Sequence, residues 1–299
     1  MRRLGHATLA FCACLAACGL GVVGDESQAR EEGARGQTPD ASSLDSSSDG
    51  GAPASDGSLA DGQDVDAGAI DPGTALRFSQ SAYVRIGALA IPADFTLEAW
   101  VRPVSFGSER ILASRDRKNE GGGQFRLGHD ATGRLFFLMA DSSGNDHGLF
   151  SSATGYALRS PAALTLGVWS HVAVSKNGAQ FALYLDGAAV QSVTVTEAFS
   201  HGGSPVEFRI GARVAPNGTG ADGVFDGEID EVRLWSVPRT AAEIAAARGA
   251  PLQPDAPGFA NLAAYYRFDE GNGTTAAPTA GALTGTLVGA PTWVTATWP

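Results

Sequence analysis

The chain has 299 residues, enough for one large domain or two ordinary ones, and 43% of them are hydrophobic. Its formal charge of −11 is concentrated near the N-terminus, since residues 19–73 hold 12 Asp and Glu against 2 Arg, whereas residues 74–299 hold 20 acids against 17 bases. The sequence shows no basic footprint, which excludes a nucleic-acid-binding protein as the leading interpretation.

The first eighteen residues have the order of a secretory signal peptide, with Arg2 and Arg3 ahead of an apolar run from Leu4 to Ala17. This run is shorter than the roughly 20 residues that span a bilayer as a helix. It ends in Leu15-Ala16-Ala17-Cys18, which resembles the bacterial lipobox and implies cleavage after residue 17 and lipid attachment at Cys18. An ordinary signal peptide with incidental cysteines is the alternative. Gly19, after the cysteine, is typical of sorting to the outer membrane.

Residues 18–73 form an acidic segment that is rich in Asp, Ser and Gly. It has no Trp, Tyr or Phe between Cys18 and Phe78. Such a segment cannot bury enough apolar surface to offset the entropy lost on ordering. We therefore predict a disordered tether. A calcium-binding repeat array is disfavoured, because the Asp-Gly spacing is irregular and the apolar positions of such repeats are missing.

From Thr74 onward the hydrophobic pattern has a period of two. Phe95, Leu97, Ala99 and Val101 alternate with Thr96, Glu98 and Trp100, which predicts a half-buried strand. Further strands are predicted at Ala82–Ile86, Arg110–Ser114, Gln124–His129, Arg134–Ala140, Trp169–Ser175, Gln180–Leu185, Ala189–Val195, Val206–Gly211 and Glu228–Trp235.

Two dipeptides predict tight hairpins, because both provide the positive φ angles that such turns require. Asn177-Gly178 and Asp186-Gly187 join three of the strands into an antiparallel meander across residues 169–195. One helix is predicted over Ala241–Arg248, where Thr240 and Glu243 form a capping box and Gly249 can end the helix. Many short strands with one short helix indicate an all-β, antiparallel β-sandwich.

The tail after the helix, residues 250–299, has about three short strands, at Leu262–Phe268, Thr286–Val288 and Trp293–Thr295. So short a segment would make a poor core of its own. We therefore expect it to pack on the signature core, residues 74–249, and to complete one domain over residues 74–299. The alternative is a remnant of a lost repeat that is loosely ordered.

Four segments, in order, resemble the laminin-G-like jelly rolls of the concanavalin A-like lectin/glucanase superfamily. They are Phe95–Val101, Trp169–Val174, Leu183–Gly187 and the run from Phe225 to Trp235, which is followed by Thr240–Ile244. The resemblance implies a jelly-roll fold. It does not imply an activity, because this fold is shared by lectins, adhesion modules and hydrolases.

One motif, Glu228-Ile229-Asp230-Glu231, is similar to the catalytic motif of jelly-roll glucanases. Those enzymes place a second Glu two or three residues after the Asp, and a retaining mechanism needs two carboxyl groups roughly 5–5.5 Å apart. Val232 and Arg233 occupy those positions here, and Glu231 faces away from Glu228 if the strand is regular. The sequence therefore predicts a protein that is not an enzyme, with a degenerate or unusual glycoside hydrolase as a remote alternative.

Calcium is the metal that the sequence makes plausible, as a structural ion and not as a required cofactor. Jelly rolls of this kind often hold one calcium, which needs six to eight oxygen ligands. Asp226, Glu228 and Asp230 cluster near the last family segment, with Asp230 the best single candidate, and Asp141, Asn145 and Asp146 crowd one loop. A solvated acidic rim is the alternative interpretation.

A sugar site requires an aromatic platform with polar edges, and two residues could supply it. Trp100 and Tyr184 fall on the polar phase of their strands, although both could instead be buried beneath loops. Together these features predict an envelope-anchored, non-catalytic module that binds carbohydrate or a glycan-bearing surface, with a structural or protein–protein adhesion module as the alternative. We expect the protein to associate with the membrane only through its lipid anchor.

Overall fold

The structure, a computed structural model, describes residues 73–115, 125–139, 150–151, 155–156, 158–195, 206–216 and 218–299. All of these fall within one compact unit, Val65–Pro299. The expectations for Cys18, for the acidic segment up to residue 72 and for the Asp141–Asp146 loop lie outside the described residues.

Twenty strands and one helix make up the described secondary structure. The first ten strands are β1 (Thr74–Phe78), β2 (Tyr83–Gly87), β3 (Phe95–Pro103), β4 (Arg110–Arg115), β5 (Phe125–His129), β6 (Arg134–Met139), β7 (Phe150–Ser151), β8 (Gly155–Tyr156), β9 (Arg159–Ala163) and β10 (Ser170–Asn177). The others are β11 (Gln180–Leu185), β12 (Ala188–Thr194), β13 (Phe208–Ile210), β14 (Arg213–Val214), β15 (Ala221–Asp222), β16 (Gly227–Trp235), β17 (Leu262–Tyr266), β18 (Thr275–Ala276), β19 (Gly285–Val288) and β20 (Thr292–Thr295). The helix, α1, spans Ala241–Ala247, and a single 3-10 turn covers Phe259–Asn261.

The strands form two large sheets, which confirms the predicted β-sandwich. Sheet A has the order β12-β11-β10-β3-β16-β1-β20, and β17 also pairs with β16. Sheet B has the order β18-β19-β2-β13-β4-β5-β6-β9. Two small ribbons, β14-β15 and β7-β8, stand apart from these sheets. The strand pairs within both large sheets are antiparallel.

The core lies between the two sheets and is rich in phenylalanine. Phe95 and Phe181 of sheet A contact Phe125 and Phe137 of sheet B, with ring centroids 5.9 Å apart for Phe95 and Phe125 and 6.0 Å for Phe137 and Phe181. These residues are the inward members of their alternating strands, and burying each large apolar side chain stabilises the fold by roughly 1.5–3 kcal/mol.

Strand β3 is buried on both faces, so the prediction of a half-buried strand is wrong at this position. The outward members Thr96, Glu98 and Trp100 are no more exposed than the core-facing ones. Segments distant in sequence cover them, since the Thr96 hydroxyl donates to Val237 O and the Trp100 indole donates to Arg248 O. An alternating pattern predicts which residues share a face but not whether that face meets solvent.

Both predicted hairpins form, but the first turn lies one residue later than predicted. Asn177 belongs to β10 and pairs with Gln180, so the loop is Gly178-Ala179, in which Gly178 has a φ of 55°. Leu185 pairs with Ala188, which leaves the predicted Asp186-Gly187 as the second two-residue loop. In the second loop both Asp186 and Gly187 have positive φ, at 51° and 84°. These angles match the right-handed twist of the flanking strands.

Helix α1 begins at the predicted capping box. The Thr240 hydroxyl accepts from the Glu243 amide, and the Glu243 carboxylate accepts from the Thr240 amide. Ile244 is the buried residue of the helix and packs with Ala173 and Tyr184 on the outer face of sheet A. Within the described residues, no helix is long and apolar enough to cross a membrane.

Residues 250–299 contribute strands to both sheets. β17 pairs with the second half of β16, β20 pairs with β1, and β19 pairs with β2. The phenol of Tyr266 donates to Leu283 O at 2.6 Å, which links β17 to the loop before β19.

Candidate functional site

The outer face of sheet A carries a layer of buried charged and polar side chains beneath α1 and the segment that follows it. Glu98 on β3 is fully buried, and Arg233 on β16 lies beside it, with Nη1 3.4 Å from Glu98 Oε1. The Trp235 indole donates to the same oxygen at 2.9 Å. A buried charge is tolerated only where hydrogen-bonding or ionic partners compensate for its lost hydration. The side chains of this layer act as such partners for one another.

Arg233 joins the sheet to the segments above it. Its guanidinium pairs with Glu231 and donates to the carbonyl oxygens of Ala247 and Ala250, at 2.8 and 2.9 Å. Burial lowers the pKa of Arg233, but the carboxylates of Glu231 and Glu98 outweigh this effect and raise the pKa above its ordinary value. Arg233 is therefore charged and acts as the central cation of the layer.

His171 on β10 also belongs to this layer. Its Nε2 lies 3.9 Å from Glu98 Oε2, and its side chain is 1% exposed. Burial, followed by the positive charges of Arg233, Arg248 and Arg239, lowers the pKa of His171 well below its usual value. The ring is thus neutral near neutral pH, and no described contact makes it a catalytic base.

A bulge in β16 changes which residues reach this face. Glu231 has φ of 52°, and the register with β3 shifts between Asp230 and Arg233. As a result, Glu231 does not turn into the core, as a regular strand would require, but joins the outer layer, where the Tyr265 phenol donates to it. Glu228 instead pairs with Arg102, with Nη2 2.6 Å from Oε1. The two glutamates of the glucanase-like motif therefore have separate cationic partners.

A groove of about 230 Å³ lies beside α1, over β10, β11 and β12. Six of its ten described lining residues carry hydroxyl or amide side chains: Ser175, Asn177, Gln180, Tyr184, Ser192 and Thr240. The Tyr184 phenol lies 3.1 Å from the Ser175 hydroxyl and 3.4 Å from Arg239 O, and this arrangement fixes its orientation at the base of the groove. Hydroxyl and amide groups can donate and accept hydrogen bonds at once, which matches the needs of sugar hydroxyls.

The structure separates the two residues proposed as sugar contacts. Tyr184 lines the groove, although it is only 7% exposed, whereas Trp100 lies outside the groove and is 1% exposed. The Trp100 ring stacks on the Trp298 ring, with centroids 5.3 Å apart, and contacts the His171 ring edge-on, with centroids 5.4 Å apart. With these neighbours, Trp100 presents no ring face to solvent and serves as a packing residue.

The three residues proposed as calcium ligands do not fit a calcium site. Asp226 accepts from Arg77 and Ser105, and Glu228 pairs with Arg102. Within the part of the chain that the structure describes, no three His, Cys, Asp or Glu side chains are grouped closely enough to hold a metal ion. Calcium requires several oxygens that converge on one point, and here arginines occupy two of the three carboxylates.

Asp230, the third proposed ligand, is 2% exposed and accepts from the Trp298 indole at 2.7 Å and from the Glu231 amide at 2.9 Å. Burial and the nearby Glu231 carboxylate raise the pKa of Asp230 well above its usual value. This environment favours the neutral acid, whereas a calcium ligand is a carboxylate. Asp230 is better described as an anchor for Trp298.

Comparison with known proteins gives one family match. A laminin G family profile, described as the concanavalin A-like lectin/glucanases superfamily, matches residues 78–245, more than half of the chain. Among curated proteins, none matches this chain.

Several solved structures are similar in fold. A Bacteroides ovatus protein, provisionally described as carbohydrate-binding, has a TM-score of 0.55 at 22% identity over 75% of this chain; the match spans 60% of that protein's length. A heptameric pentraxin from Limulus polyphemus has a TM-score of 0.44 at 17% identity, and the match covers 59% of this chain and 82% of the pentraxin. The CBM40 of a Ruminococcus gnavus sialidase, bound to α2,3-sialyllactose, has a TM-score of 0.45 at 16% identity, and the match covers 58% of this chain and 97% of the CBM40. At these identities the likeness concerns fold alone.

Proposed function

The chain belongs to the concanavalin A-like lectin/glucanase superfamily, and from this premise we propose that it is a non-catalytic module that binds carbohydrate. The observation that carries the proposal is the groove over β10, β11 and β12, with its hydroxyl and amide lining. The glucanase-like motif offers no comparable site, because Glu228 and Glu231 are each held by an arginine. A glycan array probed with the purified protein tests the proposal, and hydrolysis of any polysaccharide in a panel would contradict its non-catalytic part.

Replacing Ser192 by Trp is expected to abolish glycan binding. Ser192 is exposed on β12 and lines the same groove as Tyr184, so an indole at this position would fill the space that a sugar needs. The matched control is Gln191→Trp, because Gln191 is also exposed on β12 and points to the opposite face of the strand. Binding measured by calorimetry should disappear in the first variant and persist in the second. Equal binding by both variants would place the glycan site elsewhere.

A protein–protein adhesion module is the second candidate, and one observation favours it. Val104, Leu166 and Val168 are the exposed large hydrophobic side chains of the described residues, at 46–49% exposure. They lie near one another, since the Gly167 amide donates to Pro103 O at 2.8 Å. Exposed apolar side chains that lie together suit a protein partner better than a sugar. A silent glycan array, together with co-purification of an envelope protein, would favour this function.

We further propose that the module is secreted and held at the cell envelope by a lipid on Cys18. The support is the Leu15–Cys18 lipobox and the aromatic-free segment after it. Replacing Cys18 by Ser should abolish labelling with a fatty-acid analogue and shift the protein from the membrane fraction to the soluble fraction. Unchanged partition of the variant with membranes would contradict the anchor.

A further inference from the structure

The groove over β10, β11 and β12 offers little positive charge to a ligand. Among the described residues that line it, Arg239 alone carries a formal charge at neutral pH, and its side chain is 9% exposed. Its guanidinium lies over the Trp235 ring, 3.9 Å from the centroid, and Nη1 faces Glu98 Oε1 at 3.7 Å. Nη2 donates to Glu243 O at 3.0 Å. These contacts engage the guanidinium within the protein, so the described lining presents no exposed cation.

An exposed negative charge lies beside the same groove. Thr240 lines the groove, and its hydroxyl donates to Glu243 Oε2 at 2.8 Å, while the Glu243 side chain is exposed. Hydrogen bonds from the amide and the hydroxyl of Thr240 lower the pKa of Glu243 below its ordinary value, so this carboxylate is ionised at neutral pH. It would repel an anionic ligand, and taking a charged group out of water without a partner is costly.

Three exposed side chains of the groove are suited to bind an uncharged polar ligand. Asn177 ends β10, Gln180 begins β11 as its cross-strand partner, and Ser192 lies on β12. By contrast, the buried hydroxyl groups of Ser175 and Tyr184 lie 3.1 Å apart and are partners of each other. Amide and hydroxyl groups both donate and accept hydrogen bonds, as the hydroxyl groups of a sugar do.

We propose that the groove selects uncharged sugars, with Asn177, Gln180 and Ser192 binding the hydroxyl groups of a neutral sugar residue, and that it rejects carboxylated, phosphorylated or sulfated sugars. The inference rests on the proposed function, because it specifies the class of carbohydrate that the same groove binds. The groove volume, about 230 Å³, lies below the roughly 300–1,000 Å³ of sites for drug-sized ligands, which suits a single sugar residue.

A glycan array tests this selectivity with the purified protein, if it carries neutral oligosaccharides beside their sialylated, uronic-acid-containing and sulfated counterparts. We expect binding of neutral glycans, and binding of each acidic counterpart that is weaker by about tenfold or more, which corresponds to about 1.4 kcal/mol. Equal or tighter binding of the acidic counterparts would overturn this inference and leave carbohydrate binding intact. A silent array would overturn both.

A pair of glutamine variants tests the assigned contacts. Gln180 and Gln191 are both exposed and lie on neighbouring strands, but only Gln180 lines the groove. Gln180→Ala should weaken binding of the best neutral glycan from the array by about three- to tenfold, as expected for the loss of one neutral hydrogen bond. Gln191→Ala should leave this affinity unchanged. Equal affinities of the two variants, measured by calorimetry, would overturn the assignment of the sugar to these side chains.

A charge-neutralising variant tests the electrostatic part of the proposal. Glu243→Gln removes the negative charge and keeps a residue that can close the capping box. Binding of an acidic glycan, relative to its neutral counterpart, should then strengthen by about two- to fivefold. Asp255→Asn is the matched control, because it removes an exposed acid that does not line the groove, and it should leave this ratio unchanged. The same ratio in both variants would overturn the selection by charge.

Discussion

A chain that ends at Gly249 is expected to be insoluble or to melt at a much lower temperature than the full chain. The truncation removes β17 from β16, β20 from β1 and β19 from β2, which leaves edges unpaired in both sheets. It also removes Tyr265, Tyr266 and Phe268, all of which are at most 1% exposed. At roughly 1.5–3 kcal/mol for each buried side chain, these three alone approach the 5–15 kcal/mol by which domains are usually stable.

Thermal unfolding followed by circular dichroism measures this effect. A chain that ends at Ala296 is the control, because it retains β17 to β20 and loses only the contacts of the last residues, chiefly those of Trp298. We expect the control to unfold cooperatively with a smaller loss of stability. Cooperative unfolding of the Gly249 chain at the temperature of the full chain would show that residues 250–299 are dispensable.

The elements that the sequence predicts best are those specified by neighbouring residues. The hairpins at Gly178 and at Asp186-Gly187 and the capping box of Thr240 depend on turn geometry and on hydrogen bonds within a few residues. Such local rules act whatever the rest of the chain does. The alternation of β3 likewise identifies its core-facing residues, because every second side chain of a strand shares a face.

The features that the sequence does not reveal depend on segments far apart in the chain. Trp100 follows the polar phase of β3, yet it is buried by Arg248 and Trp298, which lie about 150 and 200 positions further on. The sequence predicts one continuous strand over Glu228–Trp235, and the bulge that turns Glu231 outward lies within it. The hydrophobic pattern does carry a signal for this bulge, because the core residues Ile229 and Val232 are separated by two acidic residues where a regular strand has one.

Arg233 and Arg239 had no distinguishing signal in the sequence. A single arginine on the outward phase of a strand, or just before a helix, is usually solvated. Only the cover provided by α1 and the segment 252–261 makes these two residues buried cations. Tyr184, by contrast, could be nominated from its position on the polar phase, and the structure places it in the groove.

Replacing Arg233 by Met is expected to lower the free energy of unfolding by about 3–5 kcal/mol, the usual cost of removing one partner from a buried ion pair. Glu98 and Glu231, which are both nearly inaccessible to solvent, would lose their shared cation. The carbonyl oxygens of Ala247 and Ala250 would lose their donor, which would loosen the end of α1 from the sheet. Urea titration at neutral pH measures the loss, provided that the slope of the transition is unchanged.

The same variant should become relatively more stable as the pH falls. Burial raises the pKa of Glu231 and Arg233 opposes this effect, so without Arg233 this carboxyl group takes up a proton more readily in the folded state than in the unfolded state, where a glutamate has a pKa of about 4.3. A group with a raised folded pKa binds more protons when folded, so the penalty shrinks as the pH falls toward that unfolded value. The control is Arg77→Met, because the pair of Arg77 with Asp226 is about a quarter exposed on both sides and should contribute less than about 1 kcal/mol. Equal losses in the two variants, with no difference in their pH dependence, would show that the buried layer stabilises the fold no more than a surface ion pair does.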